Sequence, residues 1–141
     1  MDEDGAVETM NAALTLQYRS ALSYTVLAGA LTGFSFQPLA LELGRFARDE
    51  LDDARHLVEK IATLGREPTT DVAPLRFDQD PQRAIERLIA EETETIEALQ
   101  AVIPTTGQEG RSEALEHRLE HMIMRKQEQV DALIRASREP G

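Results

Sequence analysis

The sequence predicts an all-α protein, a four-helix bundle with one long crossover between its second and third helices. Four observations support this prediction. Helix-forming Ala, Leu and Glu are abundant while aromatic residues make up 4% of the chain. Apolar residues recur at helical spacing in four segments, and the connections between these segments differ greatly in length. No segment shows the apolar-polar alternation of a β-strand.

The apolar periodicity places the helices at residues 8–31, 38–64, 81–103 and 112–137. Pro38 suits the first turn of the second helix, because a proline at that position has no backbone N–H to leave unpaired. Gly65 suits the position just after this helix, where a left-handed residue commonly ends it. Asp80 and Pro81 predict the N-cap and the first residue of the third helix. These signals fix the predicted helix boundaries.

The lengths of the connections predict the topology. A few residues join the first helix to the second, and the short segment PTTGQEG joins the third to the fourth, which makes each pair antiparallel neighbours. The 15 residues 66–80, REPTTDVAPLRFDQD, join the second helix to the third. Fully extended at ~3.3 Å per residue they reach roughly 50 Å, whereas a helix as long as the second spans about 40 Å. This segment can therefore cross the whole bundle.

Composition and charge limit the classes of function. The 141 residues are expected to form a single domain spanning 1–141, and the net charge of −11 disfavours binding to nucleic acid. The absence of Cys excludes disulfides, thiolate metal sites and Cys nucleophiles. No apolar run is long enough for a membrane span, and the N-terminal MDEDGAVE has no signal-peptide pattern. We expect a cytoplasmic protein with no membrane partner.

Each predicted apolar stripe is interrupted by polar residues near the middle of its helix. In the second helix, within FARDELDDARHL, Glu50 and Asp53 interrupt the stripe. The interruptions in the first, third and fourth helices are Gln17, Glu92, and Lys126 with Gln129. Because mid-helix positions share one height in a bundle, we expect all six to meet in one polar layer. A buried, unpaired carboxylate costs several kcal/mol, so the layer must pair its charges internally or hold an ion.

The stretch DELDDARHLVEKIATLGREPT resembles the second-helix signature of ferritin-like proteins, particularly bacterioferritins and rubrerythrins. There an Asp-Glu-x-x-His stretch is followed by a long amphipathic run and a Leu-Gly-x-x-Pro ending. The resemblance covers nearly the whole chain, including the helix pattern, the crossover and the polar layer. It implies a ferritin-like four-helix bundle whose centre holds two iron or manganese ions. In that family the first and third helices each give a Glu, and the second and fourth each give Glu-x-x-His.

Only part of the family's set of metal ligands is present in this sequence. Glu50 and Glu92 match family ligands, with Glu91 as an alternative register for the latter. The departures are, in chain order, Gln17 for a Glu, Asp53 for a His, Lys126 for a Glu and Gln129 for a His. The candidate metal ligands are therefore Glu50, Asp53 and Glu92, with Gln17 and Gln129 as neighbours and Lys126 in place of a metal charge. We assign no catalytic residue.

Two functional predictions remain open. Glu50, Asp53 and Glu92 contribute −3 and Lys126 contributes +1, so the layer carries −2. A protonated lysine has only donors and cannot ligate a metal. The first prediction is a degraded dimetal site, an acid–Lys–Gln layer without full ferroxidase activity. The second is a functional metal-binding, storage or oxidase protein that holds one or two ions of iron or manganese at the three acids.

The resemblance also bears on haem and on assembly. Leu51 stands where bacterioferritins have the Met that binds haem at the dimer interface, so no haem is expected. Tyr18, Leu22 and Val26 form a second apolar strip on the first helix, which is either a dimer face or a widened core stripe. We expect a homo-oligomer, with a homodimer favoured. His117 and His121 are spaced to bind zinc, but their charged neighbours favour an exposed helix face.

Overall fold

The computed structural model describes residues 2–107 and 110–138, except for the side chain of Arg111. Met1, residues 108–109 of the predicted PTTGQEG connection and residues 139–141 lie outside the described part. Four long helices, and no strand among the described residues, confirm the all-α prediction: α1 Glu3–Ala30, α2 Gln37–Thr63, α3 Pro81–Val102 and α4 Gly110–Ser137. Short 3₁₀ turns cover Phe34–Phe36 and Ile103–Thr105.

The first helix begins five residues before the predicted start at residue 8. Ala6 and Val7 are buried and extend the core stripe of α1 toward the N-terminus. Glu3 and Asp4 occupy the first turn, where their negative charge interacts favourably with the positive end of the helix dipole. The prediction was wrong here because these two buried residues are too few to show a helical period.

The residues predicted to mark the helix ends are confirmed, including Asp80 as the N-cap residue of α3. Gly65 has a φ of +74° and ends α2, and Pro81 lies in the first turn of α3. Asp80 occupies the N-cap position, but its side chain makes no capping hydrogen bond. Its carboxylate instead accepts a hydrogen bond from Arg83 Nε at 3.2 Å. The guanidinium has replaced the backbone N–H groups as the partner of this carboxylate.

The segment between α2 and α3 runs along α1, which confirms the predicted long crossover. Near its start, the backbone N–H of Thr69 donates to Asn11 Oδ1 at 2.8 Å. The Tyr18 hydroxyl donates to the Thr69 carbonyl at 2.9 Å. Further on, the N–H of Ala73 donates to the Thr15 carbonyl at 3.2 Å. Side chains and carbonyls of α1 therefore satisfy backbone groups of a segment that has no ladder of its own.

Two apolar clusters fill the interior, one toward each end of the bundle. The first takes in, among others, Met10 and Leu14 of α1, Leu57 and Ile61 of α2, Leu99 of α3 and Leu119 of α4. The second takes in Tyr24 and Leu27 of α1, Leu43 and Phe46 of α2, Ile85 and Leu88 of α3 and Leu133 of α4. In every helix, the residues predicted to be polar interruptions fall between these two clusters. The layer is therefore enclosed by apolar side chains on both sides.

Candidate functional site

The centre of the layer is the ammonium group of Lys126, which α4 places in the bundle interior with 1% of the residue exposed. Its Nζ donates to Glu50 Oε2 of α2 at 2.6 Å and to Glu92 Oε2 of α3 at 2.9 Å. Both carboxylates are equally buried, with 1% and 0% of their surface exposed. Lys126 therefore bridges two acids that face each other across the bundle.

The first helix surrounds the two carboxylates with hydrogen-bond donors. Gln17 Nε2 donates to the Glu50 carbonyl at 3.0 Å and also to the Glu50 carboxylate. Ser20 donates its hydroxyl to Glu92 Oε1. The Tyr24 hydroxyl donates to Glu92 Oε2 at 3.0 Å. These contacts join Gln17, Glu50, Glu92 and Lys126 in one network, as the sequence predicted, and add two hydroxyl groups to it.

Asp53 and Gln129 are buried one turn beyond Glu50 and Lys126, but neither joins this network. Asp53 is 2% exposed, and its carboxylate accepts a hydrogen bond from Arg125, which reaches in from the edge of α4. Gln129 is also 2% exposed, and neither of its amide atoms has a hydrogen-bond partner among the described residues. All six predicted residues are therefore buried, and four of them make direct contact with one another.

The structure resolves the choice between Glu91 and Glu92. Glu92 is fully buried in the layer, whereas Glu91 is partly exposed and faces Arg19 at 3.9 Å. Sequence reasoning missed Ser20 and Arg125. Ser20 lies three residues after Gln17, so the same helical spacing could have found it. Arg125 gave no such signal, because its backbone lies beside the stripe and only its long side chain reaches Asp53.

Burial and the neighbouring charges determine how the layer titrates. Burial raises the pKa of Glu50, Lys126 opposes this rise and Glu92 adds to it, so that the pKa lies at about 6. Burial by itself lowers the pKa of Lys126, but Glu92 and Glu50 outweigh it and leave the pKa above its ordinary value. Burial, with the carboxylates beside it, also raises the pKa of Tyr24 well above its usual range. Lys126 is therefore charged at neutral pH, while Tyr24 keeps its proton.

The acids of the layer already form ion pairs with neighbouring cations. The ammonium of Lys126 lies between the two carboxylates that a bridging cation would need, and Arg125 occupies the carboxylate of Asp53. Three buried oxygen atoms in this region lack a partner among the described residues: Oε1 of Gln17, of Glu50 and of Gln129. Only one of the three belongs to a carboxylate. Within the described ranges, no group of three or more acidic or His side chains could hold a metal.

The fold and site together define a class of protein: a four-helix bundle with a long crossover and a carboxylate-containing polar layer at its centre. Residues 7–136 match the family described as the ferritin-like domain. The chain therefore belongs to the ferritin-like family, as the resemblance predicted. A comparison with curated proteins gives no match. No helix in the described part of the chain is both long and apolar enough to cross a membrane.

Two solved structures illustrate the relationship. One is a ferritin-like, diiron-carboxylate protein from Bacillus anthracis strain Ames, 26% identical, with a TM-score of 0.88 over 97% of this chain and 98% of that one. The other is the bacterioferritin of Rhodobacter capsulatus, whose structure is described as having a metal-free dinuclear site and a haem iron. It is 20% identical, with a TM-score of 0.81 over 92% of this chain and 81% of that one. This second similarity supports the fold alone.

Proposed function

We propose that this chain is a single-domain ferritin-like protein whose dimetal site is degraded to an acid–Lys–Gln layer, without full ferroxidase activity. The observation that carries this proposal is the position of Lys126 Nζ, 2.6 Å from Glu50 and 2.9 Å from Glu92. An ammonium at this position provides the positive charge that a metal would otherwise bring. It has no lone pair with which to join a coordination shell while it is protonated.

The charge of the site supports the same proposal. Glu50, Asp53 and Glu92 contribute −3, and Lys126 with Arg125 contributes +2, which leaves −1. The sequence-based sum of −2 did not include Arg125. A second divalent ion would have to enter beside a fixed ammonium, where repulsion in a buried environment is far stronger than in water. The layer is thus held together by ion pairs, and little attraction remains for two divalent ions.

A second candidate function is metal binding at a site that keeps one ion. It is supported by the similarity to a diiron-carboxylate protein over 97% of this chain and by three buried oxygens, at Gln17, Glu50 and Gln129, that lack a partner among the described residues. In this arrangement one iron or manganese ion would take ligands from Glu50, Asp53 and Glu92. The metal would have to displace Lys126 or Arg125 from these acids, which is the reason we place it second.

Restoring two family ligands tests the proposal. The double variant Lys126→Glu, Gln129→His removes the ammonium and supplies the Glu and His that the family has on the fourth helix. We expect it to bind at least one more iron per chain than the unmodified protein in an anaerobic Fe(II) titration. The matched control is Arg135→Glu, Gln127→His, which makes the same change in charge at exposed positions of α4.

The control should bind no more iron than the unmodified protein. Metal binding that rises equally in both variants would reflect added surface charge and would contradict the proposed role of Lys126. The single-ion candidate predicts about one iron per unmodified chain, whereas the degraded-site proposal predicts little or none. The titration therefore distinguishes the two candidates before any variant is made.

We further propose that the protein acts as a homodimer in the cytoplasm. The apolar strip on α1 supports the dimer, because Leu22 and Val26 are 42% and 44% exposed and Leu51 of α2 beside them is 62% exposed. Leu51→Glu should halve the mass measured by light scattering after size exclusion. Met124→Glu is the control, since Met124 is 55% exposed and lies on α4, which does not carry this strip. A monomeric unmodified protein would overturn the dimer proposal.

A further inference from the structure

A cavity that is separate from the polar layer lies between α1, α3 and the end of the crossover. Its volume is about 210 Å³. The apolar part of its wall consists of Val26, Leu27, Leu75, Phe77, Ala84 and Leu88. None of these residues takes part in the lysine network. Leu27 and Leu88 form a buried floor, while Leu75 and Phe77 are 42% and 61% exposed and leave apolar surface in contact with water.

The charged residues of the cavity wall differ in whether another residue pairs with them. Both carboxylate oxygens of Asp78 already have partners. Oδ1 accepts a hydrogen bond from the N–H of Asp80 at 3.0 Å, and Oδ2 pairs with Arg87 at 3.5 Å. Glu91 faces Arg19 at 3.9 Å. Arg76 has no hydrogen bond or ion pair with any described residue, and it is the charged group of the wall that the fold leaves without a counter-charge. The cavity thus combines an apolar floor with an available guanidinium at its edge.

We propose that this cavity binds a small organic carboxylate with an apolar tail. The tail would pack against Leu27, Leu75 and Leu88, and the carboxylate would pair with Arg76, whose planar fork suits bidentate binding of a carboxylate. Arg87 lies on the same wall but is paired with Asp78, so Arg76 is the guanidinium that the ligand would meet. The volume is below that of a drug-sized site and corresponds to a ligand of about ten to twelve non-hydrogen atoms.

The net charge of the whole protein restricts where a carboxylate ligand can bind. A net charge of −11 repels anions in general, so a carboxylate can gain affinity only where a local cation is free of partners. A ligand that bound through its tail alone would be indifferent to the loss of its charge. The comparison of an acid with its neutral amide therefore measures the contribution of Arg76. This binding is independent of whether the polar layer holds a metal.

Titration of the ¹⁵N-labelled protein with 3-phenylpropionate, followed by NMR, tests the proposal. We expect saturable shifts at the amides of Ser23, Leu27 and Leu75, with a dissociation constant on the order of 1 mM, as is usual for ligands of this size. The neutral 3-phenylpropionamide should bind at least about fivefold more weakly, because it cannot form the charged pair with Arg76.

Two variants complete the test. Arg76→Gln should weaken binding of the acid about fivefold or more and leave binding of the amide unchanged. Arg83→Gln is the control, because Arg83 lies on α3 with 73% of its side chain exposed and outside the cavity wall. Equal binding of acid and amide, an unaltered affinity in Arg76→Gln, or no shift at the cavity up to about 10 mM ligand would each overturn the proposal.

Discussion

Replacing Lys126 by Met removes the cation that bridges Glu50 and Glu92 and keeps an unbranched side chain that can fill the same space. The two carboxylates, 1% and 0% exposed, would then face each other across the layer with no ammonium between them. Hydrogen bonds to these carboxylates from Gln17, Ser20 and Tyr24 would remain, but they supply no positive charge. We therefore expect the folded state to lose far more stability than the loss of one packed side chain would cause.

The distances give the size of the effect. At 2.6 and 2.9 Å and an effective dielectric near 20, each ion pair corresponds to about 6 kcal/mol of gross Coulomb energy. Desolvation of the charges offsets most of this gain. Removal of one partner of a buried pair typically costs about 3–5 kcal/mol, because it leaves an uncompensated buried charge. For a chain of this size, such a loss lowers Tm by roughly 10 °C.

Urea unfolding at pH 7.5, followed by far-UV circular dichroism, measures this loss. The control is the triple variant Lys126→Met, Glu50→Gln, Glu92→Gln, in which neutral amides replace both carboxylates. It should recover most of the lost free energy, because an uncharged layer needs no counter-charge. A single variant Lys126→Met within about 1 kcal/mol of the unmodified protein would refute the reasoning, since it would mean that the ammonium does not compensate these acids.

Three further predictions concern the same fold. Tyr24→Phe removes the hydroxyl that donates to Glu92 at 3.0 Å and should lower the free energy of unfolding by about 1–2 kcal/mol, measured by urea unfolding. Gly65→Ala should lower the free energy of unfolding by about 1 kcal/mol, because residue 65 has a φ of +74°. Gly44→Ala should raise it by about 0.5–1 kcal/mol, because residue 44 is helical and a Cβ there would meet open space. Equal effects of the two changes would contradict this prediction. The pKa of Glu50 lies at about 6 against an ordinary 4.5, so the folded state binds a proton more tightly than the unfolded chain. As pH falls from about 7 to below 5, the free energy of unfolding of the unmodified protein should therefore rise by up to about 2 kcal/mol relative to that of Glu50→Gln. Identical pH profiles of the two proteins would contradict this prediction.

The fold could be predicted because its signals are strong and repeated. Four apolar stripes, two prolines near helix starts and a glycine after α2 all agree on one arrangement. The polar layer was predictable for a related reason. Burial of an unpaired charge costs several kcal/mol of free energy, so Glu50, Glu92 and Lys126, each of which interrupts an apolar stripe, were expected to pair with one another.

The remaining contacts depend on where long side chains end, which helical spacing does not determine. Arg125 reaches Asp53 from beside the stripe, and Arg83 pairs with the carboxylate of Asp80, the N-cap residue of α3, whose side chain makes no capping hydrogen bond. Gln129 has the predicted burial but no partner among the described residues. The cavity beside Arg76 arises from the path of the crossover, for which the sequence predicted only the length.

The metal content of the unmodified protein tests the central claim most directly. The protein would be produced in medium supplemented with iron and manganese, and both metals would be counted per chain by elemental analysis, with oxygen consumption recorded after addition of Fe(II). The account predicts well below one metal ion per chain and no oxygen consumption above that of Fe(II) in buffer, because ammonium and guanidinium groups already occupy the acids. Two iron ions per chain with rapid oxygen consumption would contradict it.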